Sequence, residues 1–579
     1  MVVVVVATAV VVVGGTVVVV VGGTVVVGTT DVVDAGSAGA TVASPPEQPA
    51  RASPRARRIE RTDAAYRAGS RRPPTLATRM RVAVIDLGSN SFRLQLSEVT
   101  GDGAIAGIHQ ERRMLHLGAV VGTHGHLPDD AVRLAIGTAR ELADVAERVG
   151  CDRVFAVATS ALREAANGPE VVDLISAAIG TPVRVVDGLT EARLSFLGAQ
   201  AAVRLEPGPR LVADLGGGSL ELAVGEGREV EWSTSHLLGV SRVHALVGGR
   251  EALDEADLER IDHLVGQELE PAVGRDIPPQ AVAVGGAVRA LADLVAGRRS
   301  TWVPGSINHI SLDVEDLDEA TRLMAPLDAE ARVEDLGVRE SRAADLPVAG
   351  AILSGTLRRL RIPSIVVSDW GLRAGAVYDG LDLPIPEGDE VWERSALGLL
   401  RRFLPDDDHP PHVAELVRQL WPQLEPLHDL HQDDLRVVVT AALLHDVGKS
   451  LALDGHHRHS AYLVEHAGLR GLDPPELASV LSLVRYHRGG PPRRSYPPYA
   501  SLDKAHRHRT RTMAAVLQLA DALDRSRDGS VQRVVVGDDG TSLIIRLIGE
   551  APLPPEGGSA DARLAYVSDT LGRSIEFAT

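Results

Sequence analysis

An α/β protein made of two similar lobes, then an all-α domain and a small α/β tail, is the fold class that the sequence predicts. Three observations carry this expectation. A strand, glycine turn and second strand occur at 82–94 and again at 211–224. From about Glu390 the chain becomes helical in pattern and rich in His. The length of 579 residues is enough for three or four domains at roughly 150 residues each.

Before the first lobe lies a segment of different character, residues 1–79. Residues 1–30 are uncharged and mostly Val, interrupted by Gly14-Gly15 and Gly22-Gly23, with no Lys or Arg ahead of the apolar run. A secretory signal needs that basic flank, and a membrane span of this length would normally carry Leu, Ile and interfacial aromatics. Residues 44–79 turn Pro-, Ser- and Arg-rich, with Arg55, Arg57, Arg58, Arg71 and Arg72, a composition that buries little apolar area. The segment reads as a low-complexity, disordered extension, and translation is expected to begin at Met80, directly before the apolar strand Val82-Ala-Val-Ile-Asp86.

Composition narrows the function. Sixty Lys and Arg against 78 Asp and Glu give a formal charge of −18, which argues against a protein that coats nucleic acid by neutralising phosphates. Aromatic residues make up 3%, too few for base-stacking platforms. A single cysteine, Cys151, excludes an intrachain disulfide and any Cys-based zinc or iron–sulfur site. The expected setting is the cytoplasm, with neither nucleic acid nor membrane as partner.

The first unit reads Asp86-Leu-Gly88-Ser89-Asn90-Ser91 and the second Asp214-Leu-Gly216-Gly217-Gly218-Ser219, each between apolar strands. Glycine permits positive φ and close backbone approach, so consecutive N–H groups can converge on phosphate oxygens. An aspartate at each strand end suits a hard divalent cation. One such turn alone would read as an ordinary hairpin; two matching turns point to a phosphate-binding cleft. A P-loop is excluded, because the only Gly-Lys-Ser, at 448–450, has Leu443 where the first Gly belongs. The duplication resembles the actin-like ATPase, ribonuclease-H-like superfamily, which implies lobe I over 80–195 and lobe II over 196–388.

Further motifs narrow the resemblance. Thr159-Ser-Ala-Leu-Arg163-Glu-Ala-Ala-Asn167, Gly188-Leu-Thr-Glu191-Ala-Arg193, Val284-Gly-Gly-Ala-Val-Arg289 and Ser368-Asp369-Trp-Gly371-Leu-Arg373 follow in order. Together with the two turns they resemble the exopolyphosphatase / guanosine pentaphosphate phosphohydrolase (Ppx/GppA) family. The resemblance implies that Glu191 is the catalytic base orienting water, that Arg163 clamps the terminal phosphate, and that Asp86, Asp214 and Glu221 place Mg²⁺ or Mn²⁺. Backbone N–H groups of Gly88 to Ser91 and Gly216 to Ser219 would line the phosphate cradle. Taken alone, Glu191 is an ordinary first-turn glutamate of a helix and Arg163 an ordinary surface arginine. Where the family commonly has Thr, this chain has Leu220; strand alternation sends it to the face opposite Glu221.

In the second half, His412-Val-Ala-Glu-Leu-Val, Leu443-Leu-His445-Asp446-Val-Gly448 and Leu519-Ala-Asp521-Ala-Leu-Asp524, with His459 and His487 between them, resemble the HD-type metal phosphohydrolase pattern over 389–530. His and Asp from different helices can converge on divalent metal, and the resemblance implies His412, His445, Asp446, His459, His487 and Asp521 as ligands. In the family this domain mostly shapes the polyphosphate path and the homodimer. Its basic stretches, around 456–459, 485–488, 493–494 and 506–511, read equally as a polyanion track and as solvated helix faces. Past residue 531, alternating strands around Asp538-Asp539-Gly540 form a hairpin pattern in an α/β tail over 531–579.

The expected activity is Mg²⁺-dependent removal of the terminal phosphate from inorganic polyphosphate. Guanosine pentaphosphate cut at its 5′ end is the alternative substrate, and a non-catalytic polyphosphate or nucleotide sensor the alternative of another class.

Overall fold

The computed structural model describes residues 9–13, 16–21 and 24–29 as backbone strands, and then residues 79–101, 103–549 and 562–578. Met1–Ala68 and Gly69–Thr579 are two compact units. In the first, β1 (Ala9–Val13), β2 (Thr16–Val21) and β3 (Thr24–Thr29) pair antiparallel, Val13 opposite Thr16 and Val21 opposite Thr24. Part of the expected low-complexity extension is therefore strand, consistent with the β-branched side chain of Val; residues 30–78 lie outside the described residues.

The second unit opens with β4 (Arg79–Leu87), β5 (Ser91–Thr100), β6 (Ile105–Met114), β7 (Arg153–Ala158) and β8 (Val183–Val185). Their spatial order is β6-β5-β4-β7-β8, antiparallel across β6-β5-β4 and parallel across β4-β7-β8. Met80 lies within β4, opposite Val99. The helix Asp129–Val149 covers one face with Ala135, Ala139, Leu142 and Ala146 at helical spacing. Two aspartates at its N-terminus favour the dipole, and Gly150 in the left-handed conformation ends it.

The same wiring returns in β9 (Arg210–Leu215), β10 (Leu220–Glu226), β11 (Glu229–His236), β12 (Ala281–Val284), β13 (Ser311–Asp313) and β14 (Ser364–Val367). Here the order is β11-β10-β9-β12-β14-β13, with β13 added antiparallel at the edge. With the added β13 set aside, both sheets run third-second-first-fourth-fifth, so the sequence repeat is a repeat of topology.

The sheets share a core: Val82 and Val84 of β4, Val212 of β9 and Val282 of β12 pack with Ala192 and Phe196 of the helix Gly188–Gln200 and with Ala376 and Val377 of the helix Leu372–Gly380. These two helices cross closely. A Cβ on Gly198 would sit 2.1 Å from Gly371 O, and one on Gly375 1.8 Å from Leu194 O. The lobe boundary expected between residues 195 and 196 falls inside the first of these helices, because the helix belongs to the shared core.

Six longer helices follow, Glu390–Phe403, His409–Leu424, Asp434–Leu444, His456–His466, Pro474–Tyr486 and Lys504–Leu523, around one apolar core. The tail is β15 (Val531–Asp538), β16 (Ser542–Gly549), the helix Ala562–Leu571 and β17 (Ser574–Ala578), with β15-β16 antiparallel and β16-β17 parallel. It packs Val531, Val534, Leu543, Ile545 and Val567 into the helical core. Its edge strand β15 is satisfied by amides from the helix His409–Leu424: Gln419 accepts from Val534 N at 3.0 Å, and Gln423 donates to Val534 O at 3.0 Å. Among the described residues, no helix is long and apolar enough to cross a membrane.

Candidate active site

β4 and β9 each carry an aspartate one residue before their C-terminal end, Asp86 and Asp214, and both line the cleft between the lobes. Ladder register then fixes the neighbour of each: Asp86 lies opposite Arg93 on β5, and Asp214 opposite Glu221 on β10. Leu220 is fully buried in the lobe II core, on the face away from Glu221, so the missing Thr hydroxyl leaves the carboxylate's placement intact.

Gly88, Ser89, Asn90 and Ser91 line an open cleft with a cavity volume of about 170 Å³ together with Gly216, Gly217, Gly218 and Ser219. The two turns nearly touch. Asn90 Nδ2 donates to Ser241 Oγ at 3.0 Å, and Ser89 Oγ lies 2.5 Å from Ser160 Oγ while accepting from Ala161 N at 3.1 Å. The expectation of positive φ at these glycines does not hold: none of Gly88, Gly216, Gly217 and Gly218 is left-handed. Space explains them instead. A Cβ on Gly217 would lie 2.8 Å from Asn90 Nδ2, and one on Gly218 2.9 Å from Ser160 Oγ.

Glu191 enters from the first turn of Gly188–Gln200, a helix capped by Asp187, whose side chain accepts from Thr190 N at 2.7 Å. Burial and the neighbouring Asp214 push its carboxyl up to about 7, against the opposing pull of Arg163. Arg163 NH1 holds Glu191 Oε2 at 3.2 Å and donates to Val186 O at 2.6 Å. Glu221 is raised well above its usual range by burial and by Glu191 and Asp214, and accepts from Ser235 Oγ at 2.9 Å. Burial also raises Asp86, offset by Arg373 and Arg93, and Asp214, offset by a hydrogen bond from Ser195. Carboxylates that raise one another in this way form a site short of positive charge, and their all-oxygen donor set fits a hard divalent ion. Asp214 and Glu221, with Asp86, are the residues that would hold it.

The opposite wall is cationic. Arg93, Arg289, Arg342 and Arg373 line the cleft, and burial, then Arg93, lower Arg373 to about 10. Each comes from a different element, and they face the backbone turns. Arg93 Nε donates to Ser91 Oγ at 3.2 Å. Asp369 also lines the cleft and is held from the helical domain by Arg470, at 3.2 and 3.3 Å, whose guanidinium stacks 4.0 Å from the Trp370 ring centre. Sequence reasoning gave these arginines no role, although Arg289 and Arg373 stand inside quoted motifs; only the fold shows that they converge.

Two family models match the chain. One, the Ppx/GppA phosphatase family, spans residues 97–383, and another, domain III of the Ppx/GppA phosphatases, spans residues 391–543. The chain belongs to the Ppx/GppA phosphatase family. Among solved structures it is similar to the Ppx/GppA family member of Aquifex aeolicus, at 27% identity over 52% of this chain and 98% of that one, with a TM-score of 0.48. It is also similar to an exopolyphosphatase of Cytophaga hutchinsonii, at 26% identity over the same shares and a TM-score of 0.49. As a Ppx/GppA enzyme the protein is a phosphohydrolase of a divalent-metal-dependent family, and its cleft composition suits a phosphoanhydride.

In domain III of this Ppx/GppA chain a second polar cluster lies inside the helical core. His445, Asp446, His487 and Asp521, four of the six residues that the HD-type resemblance implied, come together there. His412 and His459 do not join them. The structure places His409 and His456 in the cluster, each one helical turn earlier. Helix phase is the reason: His409 faces Asp524 and Asp521, at 2.6 and 3.2 Å, and three residues turn His412 aside, its Nε2 3.9 Å from Asp524. Of the basic stretches, Arg488, Arg493, Arg494, His508 and Arg511 are exposed, whereas Arg507 is tied to Leu502 O and His456 is buried in the cluster.

Proposed function

We propose that the protein removes the terminal phosphate of inorganic polyphosphate. The observation that carries this reading is the lining of the cleft: arginines and backbone turns suited to repeated phosphates, with Trp370 as its one aromatic residue among those described, buried and covered by Arg470. A guanine base has no exposed ring there on which to stack.

Glu191 stands where it can hold a water in line with the terminal phosphorus and take its proton, with a proton affinity near neutrality that suits a base at pH 7. Arg163 keeps Glu191 oriented, and Arg93, Arg289 and Arg373 bind the equatorial oxygens and the next phosphate. The P–O bond to the remaining chain breaks, and the released end leaves as a phosphate already neutralised by these arginines. A divalent ion held by Asp214, Glu221 and Asp86 supplies further neutralisation when bound.

The test is phosphate release from long-chain polyphosphate and from guanosine pentaphosphate, in Mg²⁺, by the full chain and by Glu191→Gln. The reading requires polyphosphate to be the better substrate by kcat/KM and the variant to lose at least about a hundredfold. Preference for guanosine pentaphosphate would replace the substrate. Binding without turnover would replace catalysis with sensing.

A further inference from the structure

We propose, on the phosphohydrolase reading of the cleft, that Ser195 is a positioning residue: its hydroxyl ties Asp214 to the helix that carries Glu191, so that the divalent ion and the base are held at one spacing.

Three polar residues of lobe II form a row across the sheet. Ser235 on β11 lies opposite Glu221 on β10, and Glu221 lies opposite Asp214 on β9. Directly opposed side chains share a face, so all three point to the same side. The helix Gly188–Gln200 meets that side at two places. At one end Gly188 is so close that a Cβ would lie 2.6 Å from Ser235 Cβ. Seven residues on, the Ser195 hydroxyl donates to Asp214 Oδ2. Seven helical residues rise about 10.5 Å, and two strand spacings measure about 9.6 Å. The helix therefore runs along the row, with Gly188 over Ser235 and Ser195 over Asp214. Glu191 is three residues in, about 4.5 Å along, and so comes level with Glu221, about 4.8 Å along. Burial and then Glu191 raise the Glu221 carboxyl, in keeping with that proximity.

The Ser195 hydrogen bond is not the ordinary one of a helical hydroxyl. Thr321, Thr356 and Ser482, all buried in helices, return to their own backbone one turn earlier: to Leu317 O at 2.6 Å, to Ile352 O at 2.7 Å and to Ala478 O at 2.7 Å. Ser195 is buried too, between the apolar Leu194 and Phe196, yet it leaves its helix for a carboxylate on another element. One Asp214 oxygen is then left for the cleft, which Asp214 lines. Glu221 is treated alike, its Oε1 accepting from Ser235 Oγ at 2.9 Å.

Each carboxylate of the pair thus has one oxygen fixed by a serine and one left for an ion. Hydrogen-bond partners of metal ligands commonly change metal affinity by about 10- to 100-fold. Of the two serines, Ser195 is the one on the helix of Glu191, four residues on, which places both side chains on one helix face. A shift of that helix therefore carries Asp214 along with the base, and the ion stays at a fixed distance from the water that Glu191 holds.

The experiment uses the full chain, stripped with chelator, and titrates Mn²⁺ through the spin-resonance signal of the free ion, without substrate. The cleft ion is the one lost in the double variant Asp214→Asn, Glu221→Gln. Ser195→Ala is expected to weaken that ion at least about tenfold, and Ser195→Thr, which keeps the hydroxyl, by less than about threefold. Thr356→Val, which removes a buried helical hydroxyl elsewhere in lobe II, should leave it unchanged. At saturating Mn²⁺, kcat of Ser195→Ala for phosphate release from polyphosphate or guanosine pentaphosphate, whichever turns over, should still be down about tenfold, with KM nearly constant. Urea midpoints in chelator identify any variant that fails to fold; if the extra methyl of Ser195→Thr lowers the midpoint, Ser195→Cys should bind Mn²⁺ between the parent and Ser195→Ala. Unchanged Mn²⁺ affinity in folded Ser195→Ala, a folded Ser195→Thr as weak as Ser195→Ala, or an equal loss in Thr356→Val would overturn the role of Ser195. Recovery of the parent kcat at saturating Mn²⁺ would overturn the tie to the base. A double variant that loses no ion would instead overturn the cleft as the ion's site, and the tie with it.

Discussion

Arg93 and Glu221 occupy the same station in the two lobes, each directly opposite its strand-end aspartate, Asp86 on β4 and Asp214 on β9. Duplicated hairpins have thus been given opposite charges at an equivalent position. The consequence is that the second strand of the hairpin offers the cleft a guanidinium for anions in lobe I and a carboxylate for a cation in lobe II. Arg93→Ala is expected to raise KM for the polyanion about 30-fold or more, the loss typical of a charged partner in a buried contact, while the Mg²⁺ concentration for half-maximal rate stays nearly constant. Glu221→Gln should do the reverse, raising the Mg²⁺ requirement at least about tenfold. Rate measurements over a grid of substrate and Mg²⁺ concentrations separate the two effects; equal changes in both would show that the stations are not specialised.

The proton on Glu191 gives a pH dependence with a definite sign. A base works when ionised, so kcat/KM at low Mg²⁺ should fall about tenfold per pH unit below about 7, and saturating Mg²⁺ should move the break to lower pH. Stability follows from the same shift. Burial and Asp214 raise the folded carboxyl from 4.5 to about 7, so the folded state keeps its proton where the unfolded chain has released it. Metal-free protein should then lose stability as pH rises from about 4.5 to 7, on the order of 3 kcal/mol at most for this group. Urea unfolding in chelator at pH 5 and pH 8 should show that loss in the parent and a smaller one in Glu191→Gln. An equal loss in both would mean that other carboxyls dominate.

Much of the cleft could be read before its geometry was known because its elements are local. Each turn is a few consecutive residues, and the strand-end aspartates are fixed by the pattern around them. The arginine wall was not legible in this way: Arg93, Arg289, Arg342 and Arg373 come from four elements, and only the folding of both sheets and their flanking helices brings them together. The helical cluster shows a different difficulty. His409 and His412 share a helix face to within one turn, and what separates them is contact with Asp521 and Asp524, more than 100 residues away in sequence. For the glycines, positive φ fails and close approach holds, but what approaches Gly217 and Gly218 is Asn90 and Ser160 of the other lobe, a tertiary fact.

Helix crossing at the lobe interface predicts a steep response to one methyl group. Gly375→Ala would push a Cβ to 1.8 Å from Leu194 O, so the helices Leu372–Gly380 and Gly188–Gln200 must separate. A loss of about 2 to 3 kcal/mol is expected from the overpacking. Because Glu191 rides on the second helix, kcat should also fall. Gly137→Ala is the control: it is exposed in the helix Asp129–Val149 with nothing within 4 Å of the new Cβ, and helix propensity favours Ala by up to about 1 kcal/mol. Denaturant midpoints of the two variants should move in opposite directions.

Arg470 links the helical domain to the cleft, and its loss should be felt at the phosphates. It pairs with Asp369 through two nitrogens and covers Trp370, while its own backbone N donates to Ser395 Oγ at 3.0 Å. Asp369 in turn attracts Arg289 and Arg373. With Arg470 removed, the full charge of Asp369 turns to those two arginines and offsets the positive field that substrate oxygens need. Arg470→Ala is therefore expected to raise KM about five- to tenfold with a smaller change in kcat, an effect of about 1 to 1.4 kcal/mol. Adding Asp369→Asn should restore much of that KM, because the uncompensated charge is then gone. A double variant as poor as Arg470→Ala alone would instead assign Arg470 to packing on Trp370.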